Sequence, residues 1–203
     1  MLDLFLLVAD KAAQFAMKGG LSRPQALGIP SIRFDFIVHP QRDSGTRKTG
    51  PEILRLKLRA ATHALLLLDY EGSGARGSAA ELEADLDDRL KRDWGDRAKA
   101  IVIEPELDIW MWGSDNAIET ILQWREPDRL RSWLRARDYG FDENDKPRRP
   151  KEALEDALRL LRKARSAALY EQIAAKISLQ QCHDAGFRRM HAQLKRWFAT
   201  QTG

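Results

Sequence analysis

The stretch that decides the fold is His63-Ala64-Leu65-Leu66-Leu67-Leu68-Asp69-Tyr70-Glu71-Gly72. The run His63–Leu68 is continuous, apolar and too short for a buried helix, and acids and glycine close it at once. That pattern reads as a strand covered on both faces, the habit of a parallel sheet. Working outward, Leu2–Ala9 is a similar run closed by Asp10, and AKAIVI at Ala98–Ile103 is another, closed by Glu104. Ile32–Val38 alternates apolar and polar residues, a further strand signal. Between these strands lie helical patterns at Lys11–Gly20, from Pro51 to about Ala61, and at Glu81–Trp94, where Leu82, Leu86, Leu90 and Trp94 recur four apart. His39–Gly50 and Asp69–Ser78, polar and rich in glycine, read as loops. Strands alternating with helices predict an α/β fold with a mainly parallel sheet flanked by helices. Its strand C-termini then share one edge, where such sheets bind ligands.

After Ile103 the pattern is helical throughout. Leu107–Gly113, Asp128–Ala136, Pro150–Lys163 and Ala167–Lys176 read as helices, and Phe187, Met190, Leu194, Trp197 and Phe198 form one stripe of a last helix. Tyr139–Arg149 reads as an irregular, mobile loop. The organisation expected is an α/β core over residues 1–113, with a helical part over 114–203 packed on it as one compact unit.

The chain has 203 residues, of which 43% are hydrophobic and 32% charged, enough for one large core under a well-solvated surface. One cysteine, Cys182, excludes an internal disulfide and a cysteine-based zinc finger. No run approaches the roughly eighteen apolar residues of a membrane span. MLDLFLLVAD lacks the basic start and the apolar length of a signal peptide. The expectation is a cytoplasmic protein with no membrane partner. The net charge of +4 is uneven: residues 127–203 hold 17 Lys and Arg against 10 Asp and Glu, and residues 1–126 hold 17 against 20. An acidic first part joined to a basic last part suits a metal site beside a phosphate-contacting surface, and equally suits solvated helix faces.

Three strands end in acids: Asp10, the pair Asp69 and Glu71, and Glu104, with Glu106 and Asp108 beyond it and able to face outward. Residues two apart in an extended segment project to the same side, and parallel strands lie about 4.8 Å apart. Asp10, Asp69, Glu71 and Glu104 are therefore the candidate catalytic carboxylates and the candidate ligands of Mg²⁺ or Mn²⁺, which favour oxygen donors. Such a cation activates water and stabilises charge on a phosphodiester. For Asp10 alone, helix N-capping explains an acid equally well.

An acid after the first strand and paired acids after the third resemble the Toprim fold, the metal-binding domain of topoisomerases, primases and some nucleases. Asp10 stands where Glu is usual, and Asp69-Tyr70-Glu71 where Asp-x-Asp is usual. The segments Leu65–Glu71, Glu104–Trp110, Arg165-Ser166 and Phe187–Leu194 resemble Toprim-like defence proteins of the RloB type. The segments LSRPQALGI, RKTGPE, WGDRAKAIVIEPELDIWMWGSDNA and RPKEAL are similar to a small component of methylation-associated defence systems of bacteria. The resemblance implies antiviral defence, nucleolytic or nucleic-acid-processing chemistry, and other defence-system subunits as partners. A catalytically inactive sensor or assembly subunit is the alternative it leaves open.

Arg42, Arg47 and Lys48, after the second strand, and Lys151, Arg188 and Arg189, in the basic part, are the candidate substrate contacts to phosphate. Arg162, Lys163, Arg165 and Lys176 extend that basic set. The glycines of Gly72-Ser73-Gly74 lack the Gly-Lys-Ser/Thr of a phosphate loop. His39 is the one histidine placed near the site. Cys182 reads as a buried structural thiol, and Trp110, Trp112, Trp124 and Trp133 read as core.

Overall fold

The computed structural model describes residues 1–177 and 182–199. Its elements run β1 (Leu2–Val8), α1 (Lys11–Leu21), α2 (Pro24–Leu27), β2 (Phe34–Val38), α3 (Arg42–Arg55), β3 (Ala61–Asp69), α4 (Tyr70–Ser73), α5 (Ala79–Trp94) and β4 (Ala98–Ile103). The helical part follows: α6 (Asp108–Met111), α7 (Asp115–Leu122), α8 (Leu130–Arg135), α9 (Pro150–Leu160), α10 (Ala167–Ala174) and α11 (Ala185–Phe198). The fold is α/β: the four strands form one sheet in the order β2-β1-β3-β4, and every pairing is parallel.

The period-two alternation of the strands sorts their side chains to two faces. Leu4, Leu6, Val8, Leu65, Leu67, Ile101 and Ile103 pack with α1 and with the helices from α6 to α11. Phe5, Leu7, Ala64, Leu66, Leu68, Ala100 and Val102 pack with α3 and α5. Each fully buried leucine contributes about 1.5–3 kcal/mol relative to an exposed one. The residues after 113 thus share one hydrophobic cluster with the sheet. Trp110, Trp112 and Trp133 are buried in it. The Trp124 and Trp133 rings meet edge to face at 5.3 Å.

β1 and β3 are neighbours, yet the chain leaves β1 into α1 on one face and leaves β3 towards α5 on the other. Between their ends lies the switch point at which an open α/β sheet leaves a crevice. Val8 pairs with Leu67, so Asp10 and Asp69 both come two residues after one paired level.

The structure corrects the loop expected over His39–Gly50 and the helix expected from Pro51. α3 starts at Arg42 and runs through Pro51. Its glycines are there for close packing. A Cβ on Gly45 would lie 2.2 Å from His39 Cε1, and one on Gly50 would lie 2.6 Å from Leu66 Cδ1. Pro51 has no N–H for the carbonyl four residues back. Arg89 of α5 supplies the missing donor: its Nη1 donates to the Arg47 carbonyl at 2.8 Å and its Nη2 to the Lys48 carbonyl at 2.7 Å. The expected loop over Asp69–Ser78 also opens with the short turn of α4, closed by Gly74 at φ +64°.

The outer edge of β4 is sealed by side chains. Glu83 and Asp87 of α5 accept the N–H groups of Val102 and Ala100 at 2.9 and 2.8 Å. Arg189 of α11 pairs with Glu83 at 2.8 and 2.9 Å and donates to the Val102 carbonyl at 3.1 Å.

Candidate functional site

A cleft of about 1040 Å³ opens over the C-terminal ends of β1 and β3. Six acids line it: Asp10, Asp43, Asp69, Glu71, Glu106 and Asp108. Lys11, Arg42, Lys151 and Arg165 line it too.

Asp10 caps α1, its Oδ1 accepting the Ala13 N–H at 2.8 Å. The cap fixes the carboxyl at the cleft and employs one of its oxygens. Asp69 accepts the Leu107 N–H at 2.8 Å, and its own N–H donates to Asp43 Oδ1 at 2.7 Å. Burial, and after it the Asp43 charge, push the Asp69 carboxyl well above the usual carboxylate range. Burial likewise raises Asp43. Glu71 is exposed at the cleft wall, and its N–H donates to the Pro105 carbonyl at 3.2 Å, tying α4 to the chain leaving β4.

Glu104 is exposed and is not among the cleft residues, which corrects its expected convergence with Asp10, Asp69 and Glu71. β4 ends at Ile103, so strand alternation no longer aims the next side chain. The turn through Pro105 brings Glu106 and Asp108 inward, where an outward orientation was the other possibility. Glu106 is 9% exposed, and burial and then Asp108 push it up to about 7, against the Lys151 ammonium 3.9 Å away. Asp108 is buried and accepts from the Tyr170 hydroxyl at 2.6 Å and from Arg165 Nη2 at 3.2 Å. Burial pushes both Asp108 and Tyr170 up.

Of the residues singled out as phosphate contacts, Arg42 and Lys151 line the cleft and the others do not. Arg47 Nε donates to the Ser73 carbonyl at 2.9 Å, bracing the turn behind the site. Lys48 and Arg188 are exposed away from it, and Arg189 is committed to Glu83 at the sheet edge. Within the wider basic set Arg165 reaches the cleft, while Lys163 Nζ donates to the Leu122 carbonyl at 2.6 Å.

Asp43 is the residue that sequence reasoning missed, because its segment read as a loop. Gly72 makes room for it: a Cβ there would lie 2.5 Å from Asp43 Oδ2. Arg42, just before it, takes φ +50°, a left-handed conformation that costs a non-glycine residue about 1–2 kcal/mol. His39 shapes the same corner. Its Nδ1 accepts the Gln41 N–H at 3.1 Å, which leaves the proton on Nε2, donated to Thr49 Oγ1 at 2.9 Å. Both ring nitrogens are thus engaged, and burial lowers the pKa of the ring. Cys182 is free and buried, and burial raises its thiol.

Among the described residues no three His, Cys, Asp or Glu side chains form a ready-made metal cage. The donors at the cleft are hard carboxylate oxygens, and their mutual repulsion is what a divalent cation neutralises. They fit a cation held by one or two carboxylates, with water and phosphate oxygens completing the sphere, as Mg²⁺ is commonly held. The chain matches no protein-family model, no curated protein and no solved structure.

Proposed function

We propose that the chain is a divalent-cation-dependent phosphodiester hydrolase or nucleic-acid-processing subunit, cytoplasmic and acting in antiviral defence with other defence-system subunits. The observation that carries the chemistry is the crowding of carboxyls around Asp69 at the sheet's switch point. Burial and like charge hold that carboxyl far from its ordinary ionisation. A hard cation relieves this crowding. Asp69 and Glu71, with Asp10, would hold Mg²⁺ or Mn²⁺, which when bound acidifies water and neutralises phosphate charge. Lys11, Arg42, Lys151 and Arg165 surround the acids with the positive charge that a phosphate chain needs. The place in defence is supported by the resemblance of the LLLLDYE, EPELDIW and Arg165-Ser166 segments.

The second reading, a catalytically inactive sensor or assembly subunit, is favoured by Asp10, which stands where Glu is usual and gives one oxygen to a helix cap. One experiment separates the two. The whole chain is incubated with end-labelled DNA and RNA, with and without Mn²⁺ or Mg²⁺. Metal-dependent cleavage that disappears in Asp69→Asn supports hydrolysis. No cleavage, together with no metal-dependent rise in melting temperature, leaves the assembly reading.

A further inference from the structure

Four of the six cleft acids accept at least one hydrogen bond from within the protein: Asp10 from Ala13, Asp43 from Asp69, Asp69 from Leu107, and Asp108 from Tyr170 and Arg165. Glu106 is different. It is nine-tenths buried and faces the cleft, yet among the described residues nothing donates a hydrogen bond to its carboxyl. The nearest cation, Lys151 Nζ, is 3.9 Å away, beyond hydrogen-bond reach. The Glu106 oxygens are open to the cleft rather than sealed, so a molecule that displaces water from them and offers no donor in return loses about 1–3 kcal/mol. A bound molecule is the natural source of that donor.

A phosphodiester chain offers few donors. Its backbone is all acceptors, and its base edges vary from one position to the next. The sugar 2′-hydroxyl is the donor that recurs at every nucleotide of RNA and at none of DNA. It sits on the carbon next to the one that bears the 3′-phosphate, so a donor and an anion lie side by side. Glu106 and Lys151 present the complement, an acceptor beside a cation at similar spacing. Resting on the phosphodiester reading above, we infer that this wall selects ribonucleotides, Glu106 accepting from the 2′-hydroxyl while Lys151 holds the adjacent phosphate.

The test measures binding of the whole chain to three oligonucleotides of one sequence: RNA, DNA with the matching bases, and RNA methylated at every 2′-oxygen. Ca²⁺ replaces Mg²⁺ so that cleavage does not intervene. RNA is expected to bind roughly tenfold or more tighter than DNA, the scale of one hydrogen bond to a charged group. The methylated RNA, which keeps the sugar oxygen and loses the donor, is expected to fall towards DNA. Glu106→Ala is expected to bring RNA down to the DNA level. Equal binding of RNA and DNA by the unmutated chain overturns the inference and leaves the phosphodiester reading standing. So does an RNA preference that survives Glu106→Ala. Loss of Mn²⁺ binding in Glu106→Ala, read by electron paramagnetic resonance, reassigns the residue to the metal and also overturns it. Binding of none of the three removes the phosphodiester reading and this inference with it. The methylated RNA tests the idea on the unmutated chain, so a misfolded variant does not decide the result.

Discussion

The Asp43 carboxylate accepts the backbone N–H of Asp69 at 2.7 Å, so the first turn of α3 holds the end of β3 at the cleft. The contact serves two purposes that pull against each other. It positions Asp69, and it places a second negative charge beside a carboxyl that is already buried.

Replacing Asp43 separates those two effects. Asp43→Ala leaves the Asp69 N–H without an acceptor and is expected to lower stability by about 1–3 kcal/mol. Asp43→Asn keeps an acceptor oxygen and removes the charge, so its cost is expected to be smaller. Urea melts of both variants at neutral pH, with a chelator present, check the order.

Glu106 sets a pH dependence with a definite sign. Its carboxyl rises from the ordinary 4.5 to about 7 on folding, so between those values the folded chain binds more proton than the unfolded one. Stability then falls as pH rises across that window, by about 1–3 kcal/mol in total. Glu106→Gln is expected to flatten that part of the profile and to melt higher than the unmutated protein at pH 8. Thermal melts from pH 4 to 8 in metal-free buffer test this, and an unchanged slope in the variant would exclude Glu106 as its source.

Divalent cations are expected to raise the melting temperature through preferential binding to the folded chain. At one hundred times the dissociation constant the gain is about 2.7 kcal/mol. Asp69→Asn is expected to abolish the metal-dependent shift. It is also expected to stabilise the metal-free protein, because it removes a charge that burial and Asp43 both oppose. A destabilised metal-free variant would argue against that crowding.

Arg188 and Arg189 are adjacent in sequence and are expected to respond differently. Arg188→Glu changes an exposed side chain and is expected to cost within about 0.5 kcal/mol. Arg189→Glu sets a negative charge against buried Glu83 and strips a donor from the Val102 carbonyl. Breaking a buried pair costs about 3–5 kcal/mol, and Arg189 is partly solvated, so about 2–4 kcal/mol is expected. Chemical denaturation of the two single variants checks the contrast.

The parallel sheet was legible because period and punctuation agree in LLLLDYE and AKAIVIE: apolar runs of strand length, each closed by an acid. The switch-point pair Asp10 and Asp69 followed from the same signal, since strand ends are where chain direction is most constrained. α3 was hidden because Gly45 and Gly50 read as loop residues and Pro51 as the first residue of a helix. The reasons for the two glycines and for the tolerance of the proline are His39, Leu66 and Arg89, which reach them only in three dimensions. Asp43 was lost with that helix. Glu104 was preferred to Glu106 because it directly follows the apolar run of β4, and nothing local marks how the chain turns after it. Among the cations, sequence shows the charge of Arg47 and Arg189 but not that Ser73 and Glu83 already claim them.

The seal on β4 has a consequence for how chains of this protein can stack. Glu83, Asp87 and Arg189 occupy the hydrogen-bonding groups of one sheet margin, and Arg189 comes from the last helix. At the other margin, β2, the Asp35 carboxylate accepts the N–H of its neighbour Phe36 at 2.8 Å and so covers a donor there too. The seal on the β4 margin therefore depends in part on the last helix folding back onto the sheet. A chain cut before α11 frees the Val102 carbonyl but leaves the Val102 and Ala100 N–H groups covered by Glu83 and Asp87. That margin would then present an acceptor without its neighbouring donors, half of what the addition of a strand requires.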